Sequence, residues 1–423
     1  MIGMPHGARI WLACGATDMR RGFDGLAAMV QTQLAADPYA GHLFVFRGRR
    51  GNRLKILWYS GDGMCLLSKR LDGGRFVWPQ TTTGTIALSS AELSMLLEGI
   101  DWRRARRTTL MQWVGASSEL LGPLAAALGR HVLAAPNINA DDTPIKVLAP
   151  GTGRAKKGRL WTYVRDGRGW GSTDPPAVWY RYSSSWHGKY PQQHLAGFEG
   201  KLQVDAYAGF EPLFVPSKPG VAARILEIAC WAHVRRKWFD LYEAHASPLA
   251  REALDRIGQL YKIETAIRGQ SAVKRRAARQ QYAVPLLAAL QAWMIEQSAS
   301  VDQGSTFATA FNYAFNNWEA LQRYAEDGHL EIDNNIAERS VRGAGVGRKN
   351  YLFFGSDTGG DRAAIIYSLM ETCKLNHIDP QRYLHYVLER IADHPINRIE
   401  ELLPWNLVNQ LQQPAQVTHA LAA

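Results

Sequence analysis

Cysteine is scarce in this chain of 423 residues. Its four cysteines, Cys14, Cys65, Cys230 and Cys373, are scattered and form no Cys-x-x-Cys pair. Zinc ribbons and disulfide frameworks need closely patterned cysteines, so this spacing argues against both. We expect a protein of a reducing compartment.

Long apolar runs are also missing. No stretch approaches the ~20 apolar residues that a helix needs to cross a bilayer. The first residues, MIGMPHGARIW, lack the charged-then-apolar pattern of a signal peptide. Hydrophobic residues still make up 46% of the chain, as in folded globular proteins. We therefore expect a cytoplasmic protein of two or three domains, with no membrane partner.

Acidic residues are in the minority, since 38 Asp and Glu face 49 Lys and Arg, a formal net charge of +11. For a soluble basic protein the commonest anionic partner is nucleic acid. The densest cluster, RGRRGNR, contains Arg47, Arg49 and Arg50. We expect these arginines to contact DNA phosphates at a glycine-rich turn. The alternative is a solvated hairpin turn.

Apolar runs separated by turns predict the secondary structure. In the first quarter they favour a small α+β unit, with a helix from Asp18 to about Leu34 and strands at 8–14, 42–47, 53–60 and 76–79. Later strands are expected at 137–148, 158–166 and 176–184, and within 195–210. Helical composition follows from about 221 to 325, with a candidate strand at 228–233.

Acidic residues at four positions have neighbours unlike those of surface charges. Asp141 and Asp142 interrupt an apolar strand, Asp205 ends the run Leu-Gln-Val, and Glu338 lies in an expected helix. Burying carboxylates is costly unless cations offset them. Two Mg²⁺ ions about 4 Å apart would do so and would promote phosphodiester cleavage. The ordinary explanations are a turn residue at a strand end and a solvated helical glutamate.

Several segments carry a resemblance to a known family. They are NADDTPIKVLAPGTG, GRLWTYVRD, HLAGFEGKLQVDAYAGF, CWAHVRRKWFD, EIDNNIAERSVR and GRKNYLFFGSDTGGDRAA. From about 108 to about 407 the sequence resembles transposases of the IS66 family of bacterial insertion sequences. The resemblance implies an α/β, ribonuclease-H-like domain of the DDE type. Such a domain binds Mg²⁺, or Mn²⁺ in its place, and cleaves and joins DNA at transposon ends.

The resemblance places the catalytic and metal-binding triad on Asp141, Asp205 and Glu338. Asp142 is a rival for the first position, because strand alternation puts the neighbouring pair on opposite faces and only one can face the metals. The family pattern favours Asp141. The long separation between the second and third acids implies a helical insertion at about 234–325.

Basic residues beside the glutamate and in the motif CWAHVRRK are expected to bind DNA phosphates, since arginine binds phosphate in bidentate fashion. An exposed i,i+4 pair between Glu338 and Arg342 is one alternative, and a packed core histidine at 233 is another. The DNA-binding candidates are His233, Arg235, Arg236, Arg339 and Arg342.

The first 107 residues resemble TnpB, the accessory protein encoded beside the transposase in the same elements. GARIWLACGATDMRRGFDGLAAMVQ and SMLLEGIDW are among the segments that carry this resemblance. Family transposases usually begin instead with a helical DNA-binding region and a cysteine-rich zinc-binding segment. This sequence therefore looks like a fusion of two neighbouring genes. The expected domains are an accessory domain at 1–107, a connecting helix at 108–136, the catalytic domain at 137–407 and a tail at 408–423.

The sequence as a whole predicts a Mg²⁺-dependent DNA transposase that acts as a homo-oligomer on transposon ends and target DNA. One alternative is an inactive fusion that binds DNA and regulates transposition. The other is a ribonuclease-H-like nuclease.

Overall fold

The computed structural model describes residues 8–78, 85–88, 90–97, 107–149, 154–205, 207–216, 222–347 and 354–412. The chain divides into two compact units, Met1–Trp113 and Val114–Ala423. Both contain a mixed sheet and helices, so the predicted α/β class is confirmed. None of the described helices is long and apolar enough to span a membrane.

The first unit is built on a sheet in the order β4-β3-β2-β1-β5. Strands β1 and β2 run parallel, and the other neighbours are antiparallel. One apolar cluster includes Leu26 and Val30 with Phe44 and Phe46, and a second cluster lies around Trp78. The elements are β1 (Ile10–Thr17), α1 (Phe23–Gln33), β2 (Leu43–Gly48), β3 (Arg53–Tyr59), β4 (Met64–Arg70), β5 (Thr85–Leu88) and α2 (Ser90–Leu97).

Two local predictions for this unit are wrong. Residues 76–78 form no strand, although Phe76 and Trp78 are buried as strand alternation requires. The sheet instead takes β4, which the sequence analysis missed. Helix α1 begins at Phe23 after Gly22, and the Asp18 carboxylate binds Arg20 rather than capping the helix.

The second unit begins within a long helix, α3, and has a sheet in the order β10-β9-β6-β7-β8. The pairs β6–β7 and β7–β8 are antiparallel, whereas β9 runs parallel to β6 and β10 runs parallel to β9. Its first elements are α3 (Arg107–Leu133), β6 (Asn137–Ala149), β7 (Arg154–Arg165), β8 (Ala177–Ser183), α4 (Lys189–His194), β9 (Gly200–Gln203) and β10 (Ile225–Ile228). The candidate strand at 228–233 was placed too late, because helix α5 already begins at Trp231.

Helices complete this unit. A helical layer with its own apolar core, which includes Trp231 and Trp238, lies between β10 and α11. Hydroxyls of α12 cover the edge strand β8, since Thr372 accepts from the Val178 amide at 3.1 Å and Ser368 accepts from the Tyr180 amide at 2.8 Å. The helices are α5 (Trp231–His245), α6 (Pro248–Ile267), α7 (Ala272–Ala278), α8 (Val284–Ser298), α9 (Thr306–Asn316), α10 (Trp318–Gln322), α11 (Asn335–Gly347), α12 (Asp357–Leu375), α13 (Pro380–Leu388) and α14 (Val408–Gln412).

Candidate active site

Neighbouring parallel strands carry the first two acids of the expected triad. In the register of β6 with β9, Asn139 is opposite Gln203. Asp141 and Asp205 each follow two residues later in the same direction. Because side chains alternate along a strand, each acid is in phase with the buried amide that precedes it. The register therefore brings both carboxyl groups to one end of the sheet.

Three buried amide side chains, Asn139, Gln203 and Asn334, join the segments that carry the acids, and we call them the amide network. The Asn139 amide donates to Gln203 Oε1 at 3.0 Å and to Asn334 Oδ1 at 3.0 Å. Asn334 in turn donates to the Ala140 carbonyl at 2.7 Å. A buried polar group left without a partner is costly, so this network ties β6, β9 and the start of α11 into one arrangement.

Helix α11 carries the third acid about one turn from its start. The Asp333 carboxylate accepts from the Asn335 backbone amide at 3.2 Å, as a capping residue does. The Asn334 side chain takes no part in capping, because it is committed to the amide network. Glu338 then follows with its backbone amide bonded to the Asn334 carbonyl at 3.2 Å.

The electrostatics of Asp141 show how closely the acids approach one another. The pKa of Asp141 is raised from 3.8 to about 7, first by burial and then by the negative charges of Asp205, Asp142 and Glu338, against the lowering effect of the Asp142 amide. That amide donates to Asp141 Oδ1 at 2.7 Å. Within the described residues, no basic side chain forms a salt bridge with Asp141. The site therefore concentrates negative charge, and no described basic side chain offsets the charge of Asp141 by a salt bridge.

Asp142 is occupied by other partners. It accepts from Arg159 at 2.7 Å and from the Trp186 indole at 3.1 Å. The Arg159 guanidinium lies 4.0 Å from the centre of the Trp186 ring, and Tyr207 stacks on that ring at 4.1 Å. Burial raises the pKa of Asp142, while Arg159 opposes the rise.

A further cluster contains Cys230, His233 and Glu338, whose potential ligand atoms lie within 4.8 Å of one another. His233 Nδ1 is buried, 3.8 Å from Glu338 Oε1, and has no hydrogen-bond partner among the described residues. The Cys230 sulfur accepts from the Asn334 backbone amide at 3.1 Å. Burial raises the pKa of Cys230 to about 12. At ordinary pH the thiol is protonated, so the carboxylate and the imidazole are the better metal ligands of this cluster.

The helical layer also reaches the site. Tyr313 on α9 donates its hydroxyl to the Asp205 carbonyl at 3.2 Å. The Lys237 ammonium lies 4.5 Å from the centre of the Tyr313 ring, and Lys237 follows His233 by one turn of α5. Among the predicted DNA-binding residues of this helix, Arg235 and Arg236 are exposed.

The arginines after Glu338 are both exposed. Arg339 lines a cavity of about 240 Å³ together with Arg168, Arg268 and several acids. The exposed i,i+4 pair considered for Glu338 and Arg342 does not form among the described residues, where the basic side chain paired with Glu338 is His233.

The first unit holds the other predicted DNA-binding residues. Arg49 and Arg50 are exposed on the β2–β3 turn and line a large cleft. Arg47 is half-buried, and its guanidinium lies 6.0 Å from the centre of the Trp78 ring.

Comparison with known proteins gives a family for the chain. Residues 98–362 match the description "Transposase IS66 family", and residues 368–405 match "IS66 C-terminal element". The chain belongs to the IS66 transposase family. Residues 8–107 match "IS66 Orf2 like protein", which confirms the second predicted resemblance. The family to which the chain belongs is therefore one of insertion-sequence transposases, whose process is transposition.

Several proteins of Sinorhizobium fredii (strain NBRC 101917 / NGR234) are similar to this chain. The uncharacterized protein y4hP is 40% identical over 320 residues, 73% of this chain and 57% of the relative. The uncharacterized protein y4qI is 37% identical over 323 residues, 76% of this chain and 59% of the relative. The uncharacterized protein y4hO is 54% identical over 108 residues, 26% of this chain and 94% of the relative. The chain thus spans less than two thirds of the first two relatives.

Proposed function

We propose that the chain is a DNA transposase whose Asp141, Asp205 and Glu338 bind Mg²⁺ and catalyse cleavage and strand transfer at transposon ends. The observation that carries this proposal is that the three acids, which are far apart in sequence, come close together in the fold. Burial, and after it the negative charges of Asp205 and Glu338, raise the pKa of Asp141 to about 7. Perturbed carboxyl groups of this kind concentrate at functional sites.

The topology of the second unit supports the proposal. Three antiparallel strands, β6 to β8, are followed by β9 and β10 parallel to the first, which is the arrangement expected of a ribonuclease-H-like domain. Asp141 within β6 and Asp205, two residues after the end of β9, would then lie at the active site of such a sheet. Helices α5 to α10 correspond to the expected insertion before the glutamate.

The donor set fits a hard divalent ion. Carboxylate oxygens are the ligands that Mg²⁺ prefers, and a cation would offset the charge that raises the pKa of Asp141. Asp141 suits the first ligand position better than Asp142, whose oxygens already accept from Arg159 and Trp186. Bound Mg²⁺, or Mn²⁺ in its place, would activate a hydroxyl nucleophile and stabilise the charge on the leaving oxygen.

The chain's own residues would position these groups and the DNA. The amide network fixes the spacing of the three acidic segments, and Tyr313 holds the Asp205 carbonyl. The exposed arginines on α5 and α11 would bind phosphates beside the scissile bond. His233 would orient the Glu338 carboxylate through its buried Nδ1.

The direct test uses duplexes carrying the ends of the element that encodes the chain, a target plasmid and Mg²⁺. We expect cleaved ends to be joined to the plasmid. Asp205→Asn and Glu338→Gln should lower product formation by more than the ~100-fold that loss of an outer partner of a metal ligand typically costs. Asp357→Asn, a change in an exposed ion pair with Lys156, is the matched control and should retain activity.

Three other results of this test would each contradict part of the proposal. Full activity of Asp205→Asn or Glu338→Gln would refute the site assignment. Cleavage without joining would indicate a nuclease. DNA binding without Mg²⁺-dependent turnover would indicate a regulatory fusion.

A further inference from the structure

The first unit contains an open cleft of about 730 Å³. The loop after β1, the β2–β3 hairpin turn and the end of β4 supply its walls. Arginines from all three segments line it, and they are Arg20, Arg49, Arg50, Arg53 and Arg70. Arg49 and Arg50 are predicted from the sequence to bind DNA, and Arg53 ends the same cluster RGRRGNR, whereas Arg20 and Arg70 are far from it in sequence.

Acidic residues offset only part of this charge. Asp18 binds Arg20 at 2.8 Å, and hydrogen bonds from Arg20 lower the pKa of Asp18 to about 2. Asp72 lies 3.7 Å from Arg70. Arg49, Arg50 and Arg53 have no acidic partner in the part of the chain that the structure describes. Three uncompensated positive charges thus converge on one cleft.

The hairpin that carries these three arginines is held in place by packing and hydrogen bonds. The buried Trp78 indole donates to the Gly51 carbonyl at 2.9 Å, and the Phe76 amide donates to the same carbonyl at 2.9 Å. Gly51 has a φ of 74°, which favours glycine at this turn. The arginines are therefore presented by a fixed turn, which reduces the entropy lost on binding.

Close backbone packing shapes the floor of the cleft. A Cβ added at Gly48 would lie 2.9 Å from the Met19 side chain and 3.2 Å from the Arg53 carbonyl. Glycine at this position lets the loop after β1 lie directly against the hairpin. This approach brings Arg20 into the same cleft as the hairpin arginines.

We propose that this cleft binds the sugar–phosphate backbone of duplex DNA, independently of the carboxylate site and of base sequence. Arginine forks match phosphate oxygens, and fixed turns with glycine let a nucleic-acid backbone approach closely. DNA is favoured over RNA because the chain belongs to a transposase family of DNA elements. The proposal uses none of the three acids, so it does not depend on catalysis.

The test measures binding of the full-length chain to fluorescent duplex DNA of mixed sequence, in EDTA, over a range of salt concentrations. The cleft variant combines Arg49→Ala, Arg50→Ala and Arg53→Ala. Its matched control removes three exposed charges outside the cleft, with the changes Arg9→Ala, Lys274→Ala and Arg276→Ala. Both variants lose the same net charge, so a general charge effect would weaken both equally.

We expect the cleft variant to bind all sequences more weakly and to lose about 3 units from the slope of log K against log salt, roughly one per lost phosphate contact. The control should retain most of the wild-type slope. Replacing the three cleft arginines by lysine should restore the slope, because the charge is kept. If the triple variant fails to fold, the single change Arg50→Glu at an exposed position takes its place. This variant should also weaken DNA binding.

Equal slopes for the cleft variant and its control would overturn the proposal. Stronger binding of duplex RNA than of duplex DNA to the cleft would overturn the choice of DNA. Because the assay contains no divalent ion, Asp205→Asn should bind as the wild type does. Failure of the catalytic proposal would therefore leave this result unchanged.

Discussion

Replacing Asp141 by asparagine should stabilise the metal-free protein while it abolishes activity. Asparagine has nearly the same shape, and its oxygen can still accept from the Asp142 amide. The change removes a charge whose burial raises the pKa from 3.8 to about 7. A raised acid pKa means that ionisation disfavours the folded state, so removing the ionisable group removes a cost.

The size of the effect follows from linkage. The folded state binds the proton more tightly than the unfolded state, so stability falls as pH rises from 3.8 towards 7 and then levels off. One pKa unit corresponds to about 1.4 kcal/mol. Asp141→Asn should therefore be more stable than the wild type by about 2 kcal/mol at pH 5 and about 4 kcal/mol at pH 8.

The assay is urea unfolding followed by tryptophan fluorescence at both pH values in EDTA. Asp357→Asn is the control, and its stability should change in the opposite direction. The pKa of Asp357 is lowered by the hydrogen bonds that its carboxylate accepts from Lys156 and Tyr182. Its half-exposed ion pair should cost at most about 1 kcal/mol on removal. No stabilisation of Asp141→Asn at pH 8, or the same stabilisation at both pH values, would refute the reasoning.

Mg²⁺ supplies a second arm of the same experiment. An ion that binds the folded state at 100 times its dissociation constant stabilises it by about 2.7 kcal/mol. We expect Mg²⁺ to raise the stability of the wild type at pH 8 and to have little effect on Asp141→Asn. Equal stabilisation of both proteins by Mg²⁺ would mean that the ion binds elsewhere.

Three further changes test the packing that positions the site. Asn334→Ala breaks the amide network and should cost about 2–4 kcal/mol in urea unfolding, with loss of strand transfer but retained DNA binding. Arg279→Met leaves the buried Glu264 without its 2.7 Å partner and should cost about 3–5 kcal/mol. Gly328→Ala would place a Cβ 1.8 Å from the Ala272 carbonyl, so we expect its melting temperature to fall by several degrees.

Much of the second unit was predictable because its signals are local. Apolar runs with turns between them predict β6, β7 and β8 close to their actual bounds. Short apolar runs were less informative. In IACWAH the backbone is extended only until Cys230 and then becomes helical, a change that periodicity in so short a run does not reveal. Burial likewise made 76–78 look like a strand, although this segment does not form one.

The partners of the candidate site were not predictable in this way. Asn139 bonds to residues 64 and 195 positions away, and Arg159 donates to Asp142 from the neighbouring strand β7. Such groups are brought together only by the register of the paired strands, and a single sequence does not specify that register. One signal was visible, because Asn139 and Gln203 are amides in apolar strand runs, each two residues before an acid.

The stretch IDNNIAERSVR shows why capping and site formation belong together. Asp333 caps α11, which frees the Asn334 side chain to bond with the Ala140 carbonyl and Asn139. Asn334 is thus hydrogen-bonded to the strand that carries Asp141. Its backbone carbonyl also accepts the first helical hydrogen bond, from the Glu338 amide. If a different residue capped the helix, α11 could still form, but its position along β6 would be set only by apolar packing. Placing a carboxylate for metal binding needs closer control than that, and the buried amide provides it.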